Sequence, residues 1–232
     1  MDAIRRKGLT LRDAQGDHRV EVAAATSAAG LGVMDLVIVL VKSFDTRSAM
    51  QGALNLMGEH TVVLSLQNGL GHEDVLSELV GAERVLAGKT YVGGVLLAPG
   101  RIVAGVEGKE TLIGELDGRI SDRAQDIATV LNAAGLATTV SDNIVGTMWD
   151  KLLINVSTGA LSGITRLPYG PLYRIPEIEA TAIAAVQEAM AVARASGVNL
   201  SFTDPRSAWL KAAAGLPDDF KTSMLQSLEK GS

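Results

Sequence analysis

The stretch Leu36-Val-Ile-Val-Leu-Val-Lys42, entered from Asp35, decides the fold class of the amino-terminal half. Aliphatic side chains follow one another without the polar alternation of a half-exposed strand, which is the pattern of a strand covered on both faces in a parallel sheet. A second such run, Thr61-Val-Val-Leu-Ser-Leu-Gln67, ends in Asn68-Gly-Leu-Gly71. Residues 45–57 between them carry apolar residues near helical spacing, so 36–71 is predicted to be a β-α-β unit. His72 to Leu79 reads as a short helix and Val85 to Gly88 as a further strand. Residues 90–116 change character. Gly93-Gly94, Pro99-Gly100 and the alternation from Ile102 to Leu112-Ile113-Gly114 predict antiparallel hairpins. A helix from Asp122 to Ala134 and a strand from Ala137 to Val140 close this first domain, expected over residues 1–141.

From Asn143 onward the pattern is helical, with predicted helices Ile144 to Ser157, Pro176 to Ser196 and Pro205 to Gly215, punctuated by Gly197 and Pro217. Residues 142–232 are therefore expected to form an all-helical domain. The boundary near Ser141 is a change of secondary-structure class rather than a flexible linker.

Composition narrows the function. An apolar fraction of 47% with 20% charged residues suits a compact protein, and no apolar run approaches the ~18 residues that span a bilayer. The net charge is −5, lysines and arginines form no basic stripe, and aromatic residues make up only 3%. These features argue against membrane and nucleic-acid partners. The absence of cysteine excludes disulfides, thiolate nucleophiles and cysteine-ligated zinc. Met1 to Arg12 lacks the apolar core of a secretory signal, and a cytoplasmic location is expected.

Two loops follow the parallel strands, Val41-Lys42-Ser43 and Gln67-Asn68-Gly69-Leu70-Gly71. In open α/β sheets ligands bind outside these carboxyl ends. Lys42 can hold a phosphate or ribose there, or be an ordinary solvent-facing cation. An Asn68-Gly turn brings bare backbone close to a flat ring, or is a plain turn. In Trp149-Asp-Lys-Leu-Leu-Ile-Asn155, Lys151 and Asn155 stand at i, i+4 on one helix face, with Ser162 further along if the helix continues. An ammonium can give its proton to a carbonyl oxygen that becomes an alcohol, and an amide can orient a hydroxyl or carboxylate. The alternative is a solvated helix face, against which the apolar Leu152, Leu153 and Ile154 speak.

Other motifs carry less. Gly30-Leu-Gly32 has dinucleotide-loop spacing but precedes a strand and opens no helix. His18, His60 and His72 show no metal-ligand spacing and read as surface or capping residues. Ser65, Ser157 and Ser162 lack a nucleophile elbow.

Taken in order, Asp35 to Lys42, Leu66 to Gly71, Gly88-Lys-Thr90 with Gly93-Gly94, Ile113-Gly114, Trp149 to Asn155 and Ser223-Met-Leu-Gln226 resemble the ketopantoate reductase family. The resemblance runs over essentially the whole chain. It implies an α/β, Rossmann-like dinucleotide-binding domain, here incomplete, followed by a helical domain, and NADPH-dependent reduction of 2-dehydropantoate to pantoate. It further implies that Lys42 and Asn68 contact the cofactor, that Lys151 is the general acid, and that Asn155 and Ser223 bind the small-molecule 2-keto acid. A homodimer is compatible with it.

The chain departs from the family pattern in three places. Its start matches the segment after the opening strand and Gly-x-Gly-x-x-Gly turn, so roughly 30 residues are expected to be missing, and the chain as it stands is expected to bind NADPH weakly or not at all and to be inactive. Gly159 stands where the family usually has a second asparagine. The carboxyl end stops before a stretch whose glutamate grips the substrate hydroxyl. A reductase of another small 2-keto acid, or a degenerate binding or oligomerisation fragment, are the alternatives these departures leave.

Overall fold

The computed structural model describes residues 1–231. The chain divides into two units, Met1–Ile144 and Val145–Ser232. The first opens with α1 (Asp2–Lys7) and a hairpin of β1 (Leu9–Asp13) and β2 (Gly16–Val20), paired antiparallel from Leu9↔Val20 to Asp13↔Gly16. Asp13 Oδ1 accepts from the backbone nitrogens of Gln15 and Gly16 at 2.7 and 3.1 Å, and Gly16 takes φ 133° to close the turn. This hairpin is absent from the expectations above. Its residues are largely exposed and charged, so no apolar period marks it, and the strands are joined instead by Arg12 Nε donating to Asp17 at 2.5 Å.

The remaining strands follow in order: β3 (Leu36–Val39), β4 (Val62–Ser65), β5 (Val85–Thr90), β6 (Gly93–Ala98), β7 (Arg101–Gly105), β8 (Thr111–Gly114) and β9 (Thr138–Val140). They make a five-stranded sheet, β3-β4-β5-β8-β9, and with the hairpin a four-stranded sheet, β2-β1-β7-β6. β3, β4 and β5 run parallel, whereas β8 returns antiparallel beside β5. As expected for 90–116, β6 and β7 pair antiparallel, and β7 also lies parallel to β1.

Helices cover the five-stranded sheet on both sides. On one face Val62, Leu64, Leu86 and Ile113 pack with Ala124, Ala128 and Leu131 of α4 (Asp122–Ala133). On the other, Val39, Val63 and Val85 pack with Met50 of α2 (Thr46–Gln51) and Leu76 of α3 (His72–Val80). These two layers bury β4 completely, as its apolar run requires.

Two expectations are corrected here. The run 36–42 is not a doubly covered strand: β3 ends at Val39, lies at the sheet edge and leaves Ile38 41% exposed, because it pairs with β4 alone. Residues 45–57 are not one helix either. A 3-10 turn (Ser43–Asp45), α2 and a second 3-10 turn (Leu54–Leu56) share the span, broken at Gly52. Asn55 there donates to the carbonyls of Ala28 and Leu31, at 2.8 and 3.2 Å, and so holds the coil that leads into β3.

The second unit is helical: α5 (Ile144–Thr165), α6 (Tyr169–Leu172), α7 (Pro176–Ala195), α8 (Pro205–Ala213) and α9 (Ser223–Lys230). α5 outruns its predicted end at Ser157. The Ser157 and Thr158 hydroxyls turn back onto the Ile154 carbonyl at 2.7 and 3.1 Å, which satisfies both groups without breaking the helix. Leu153, Val186, Met190 and Ala208 form one core, and Tyr169, Leu172, Ala182 and Trp209 another. In the latter Tyr173 stacks on Trp209 at 3.7 Å and donates its hydroxyl to the Trp209 carbonyl. No helix among the described residues is long and apolar enough to cross a membrane.

Candidate functional site

In the first unit the strand-end loops form one cluster. The β3–β4 ladder reaches Val39↔Ser65, and Leu66 N still donates to the Val39 carbonyl at 3.2 Å. Lys42 follows, exposed, its carbonyl accepting from Asp45 N at 2.9 Å as the 3-10 turn begins. Phe44 beside it is 84% exposed. Across from this loop, buried Gln67 donates from Nε2 to the Val41 carbonyl at 2.8 Å and to Thr46 Oγ1 at 2.9 Å.

Asn68 is exposed, and its carbonyl lies 3.0 Å from His72 Nε2. Because a carbonyl only accepts, that ring nitrogen must carry hydrogen. His72 is thus a buried residue holding the loop, so of the surface and capping readings the surface one is corrected. Gly69, at φ 108°, lies against the ring, and a Cβ there would stand 3.2 Å from Nε2. Gly71, at φ 84°, begins α3 with open space where a side chain would be. The first turn of α3 carries Glu73 and Asp74, whose negative charge at the helix start makes it poorly suited to a pyrophosphate. At the end of β5, buried Lys89 holds Nζ 4.4 Å from the centre of the Tyr91 ring.

The second cluster lies in the helical unit. Lys151, Asn155 and Gly159 fall at i, i+4 and i+8 of α5, on one face. Lys151 is half-buried and Asn155 exposed. Ser162 does lie on the same helix, but its hydroxyl donates to the Leu167 carbonyl at 2.8 Å and is fully buried, so it serves the turn after α5. Ser223 is the exposed first residue of α9, behind the cap made by Thr222, whose hydroxyl accepts from Leu225 N at 3.1 Å. α9 packs onto α5 at two glycines. A Cβ on Gly163 would lie 3.2 Å from Met224 Sδ and from Leu228 Cδ1, and one on Gly159 would lie 3.9 Å from Met224 Cε. Gly159, which stands where the family usually has a second asparagine, is therefore bordered by the Met224 side chain.

Of the residues singled out from the sequence, Lys42 and Asn68 sit in the first cluster, and Lys151, Asn155 and Ser223 belong to the second unit. Gln67, His72 and Lys89 were not singled out as functional candidates. Gln67 and Lys89 lie inside the quoted motifs and His72 directly follows one, but their roles depend on which groups lie opposite.

The family model described as "Ketopantoate reductase PanE/ApbA" matches residues 1–118, and its C-terminal counterpart matches residues 143–232. The chain belongs to the ketopantoate reductase family. Among curated relatives, a 2-dehydropantoate 2-reductase of Halobacterium salinarum is 37% identical over 85% of this chain and 65% of its own length. One of Mesorhizobium japonicum is 30% identical over 100% of this chain and 76% of its own. The chain thus spans about two thirds to three quarters of these ketopantoate reductases. A crystal structure of a PanE/ApbA family ketopantoate reductase from Ralstonia eutropha superposes with a TM-score of 0.88 at 35% identity, covering 100% of this chain and 74% of that one. The fold is also that of D-mandelate dehydrogenase solved with NADH and anilino(oxo)acetate, with a TM-score of 0.87 at 22% identity over 99% of this chain and 74% of that one. The family's layout, a Rossmann-like α/β domain and then a helical one, is the layout described above. In this family member Gly30 and Gly32 lie in coil before β3 and begin no helix.

Proposed function

We propose that this chain serves the NADPH-dependent reduction of 2-dehydropantoate (ketopantoate) to pantoate, a step of pantothenate biosynthesis. The observation that carries the reading is the α5 face, where Lys151 and Asn155 stand together on the helix within a match to the family's C-terminal domain. NADPH, when bound, would supply the hydride to the keto carbon. Lys151 would stabilise the charge that develops on the C2 oxygen and give it a proton. Asn155 and Ser223 would hold the acid by hydrogen bonds from amide and hydroxyl.

Lys42 and Asn68 would contact the cofactor. The residues present suit such a ligand: a cation and a glycine turn with open space at Gly71 meet at the carboxyl ends of parallel strands.

The test is spectrophotometric. A purified protein that carries this chain together with a dinucleotide-phosphate turn and the family's substrate-gripping glutamate should consume NADPH only when ketopantoate is added, and Lys151→Ala should abolish most of that rate; ketopantoate-independent or unchanged turnover would refute the reading. A second reading, reduction of a different small 2-keto acid, is favoured by Gly159 and the Met224 methyl beside it.

A further inference from the structure

We propose that Gln67 is a positioning residue that locks the loop carrying Lys42 to the loop carrying Asn68, so that both face a ligand as one preformed surface. The inference rests on the reading of Lys42 and Asn68 as cofactor contacts.

Beyond Val39↔Ser65 the strands give way to loops, and the Gln67 side chain carries the link onward. A primary amide has two hydrogens to donate. Gln67 directs one to the Val41 carbonyl at 2.8 Å and the other to Thr46 Oγ1 at 2.9 Å. Thr46 in turn donates its hydroxyl hydrogen to the Ser43 carbonyl at 2.9 Å. The bonds therefore run one way, from Gln67 through Thr46 to Ser43. With Asp45 N on the Lys42 carbonyl, three successive carbonyls around Lys42 are held. The amide cannot be turned over, since its oxygen would then face the Val41 carbonyl oxygen.

The same residue anchors the other loop by its place in the chain. Asn68 follows it directly, and its carbonyl is held by His72. Gln67 is 7% exposed and Thr46 1%, so water is poorly placed to replace a lost partner. Gln67 Oε1 is buried without a hydrogen-bond partner, so this amide is in place for what it donates. Contacts held before the ligand arrives need no ordering when it binds.

The experiment compares the parent chain with Gln67→Met, which keeps length but donates nothing. Thr46→Val and Thr46→Ser respectively remove and keep the relay hydroxyl. Amide hydrogen exchange without ligand, NADPH titration by fluorescence and thermal unfolding are measured on each. Gln67→Met and Thr46→Val should each speed exchange in both 41–46 and 67–71 by about tenfold, with β5 protection unchanged, and weaken NADPH binding by a similar factor. Thr46→Ser should resemble the parent. Faster exchange in one loop only, or a uniform rise across the first unit, would overturn the proposal. If both loops loosen together but Lys42→Ala and Asn68→Ala leave NADPH affinity unchanged, the coupling stands and the cofactor reading fails. If Lys42→Ala weakens NADPH binding while Gln67→Met leaves both loops protected, the coupling alone fails.

Discussion

Arg123 meets the carboxylate of Glu115 with two nitrogens, Nε 2.7 Å from Oε1 and Nη2 2.6 Å from Oε2. Ser121 donates to the same Oε1 at 2.6 Å, and Arg123 also reaches the carbonyl of Glu83. The pair ties the residue after β8 to the start of α4 and the approach to β5. Burial pushes the Glu115 carboxyl up, but the hydrogen bonds from Arg123 and Ser121 outweigh it and hold it below the ordinary glutamate value.

That depression makes stability depend on pH. An unfolded glutamate titrates near about 4.3, and the folded one lower, so between the two the unfolded chain binds more protons. The contribution is complete above about pH 4.3 and is lost as pH falls through the folded value. Urea unfolding of Glu115→Gln should therefore show a shallower acid dependence than the parent, and parallel curves would remove Glu115 from acid sensitivity. Arg123→Ala, which strands a buried carboxylate, should cost about 3–5 kcal/mol at neutral pH.

Gly114, next in the chain to Glu115, is expected to tolerate no side chain. A Cβ there would lie 2.6 Å from the Ser141 carbonyl oxygen and 3.0 Å from Ile144 Cβ, in a fully packed place. Gly114→Ala should destabilise by about 1–3 kcal/mol through overpacking, measured by denaturant unfolding. A variant as stable as the parent would mean that the loop at Ser141 yields freely.

In a protein that carries this chain together with a dinucleotide-phosphate turn and the substrate-gripping glutamate, Lys151→Ala should lower kcat by about 10²–10⁴-fold, the range for general acid help, with NADPH affinity nearly unchanged. Steady-state kinetics with a separate fluorescence titration of the cofactor decides the matter. A kcat close to the parent's would make Lys151 an ordinary helix residue.

The Gly159 position should set substrate preference. Sites with an intact hydroxyl contact reject analogues lacking it by about 10⁴-fold. With no side chain at 159 and the Met224 methyl beside it, the ratio of kcat/KM for ketopantoate over 3-methyl-2-oxobutanoate should fall well short of that. Gly159→Asn should raise the ratio, since the thioether end can swing aside. A full-strength preference in the parent would show that another group reads the hydroxyl.

How much was legible in the sequence varied with the kind of signal. The run Thr61 to Gln67 announced β4 because that strand is packed on both faces, and apolar continuity is what double packing demands. The equally apolar 36–42 promised the same for β3 and misled, since a run of aliphatic residues does not say whether a neighbour is present on each side. The β1–β2 hairpin was silent, being held by Arg12 and Asp17 rather than by a buried face. His72 read as a surface or capping residue, because the partner that holds its ring, the Asn68 carbonyl, is set by the turn before α3 and not by spacing.

The sequence by itself determined the family, the α/β-then-helical order, and the i, i+4 pairing of Lys151 with Asn155, because these rest on local periodicity and motif order. Only the tertiary structure decided that Gln67 spans two loops, that Met224 lies against Gly159, and that Glu115 is held by Arg123. Each of those relations joins groups brought together by strand register or helix packing. A donor's partner is set by which carbonyl or carboxylate the fold carries to within about 3 Å of it, a distance that spacing along the chain does not encode.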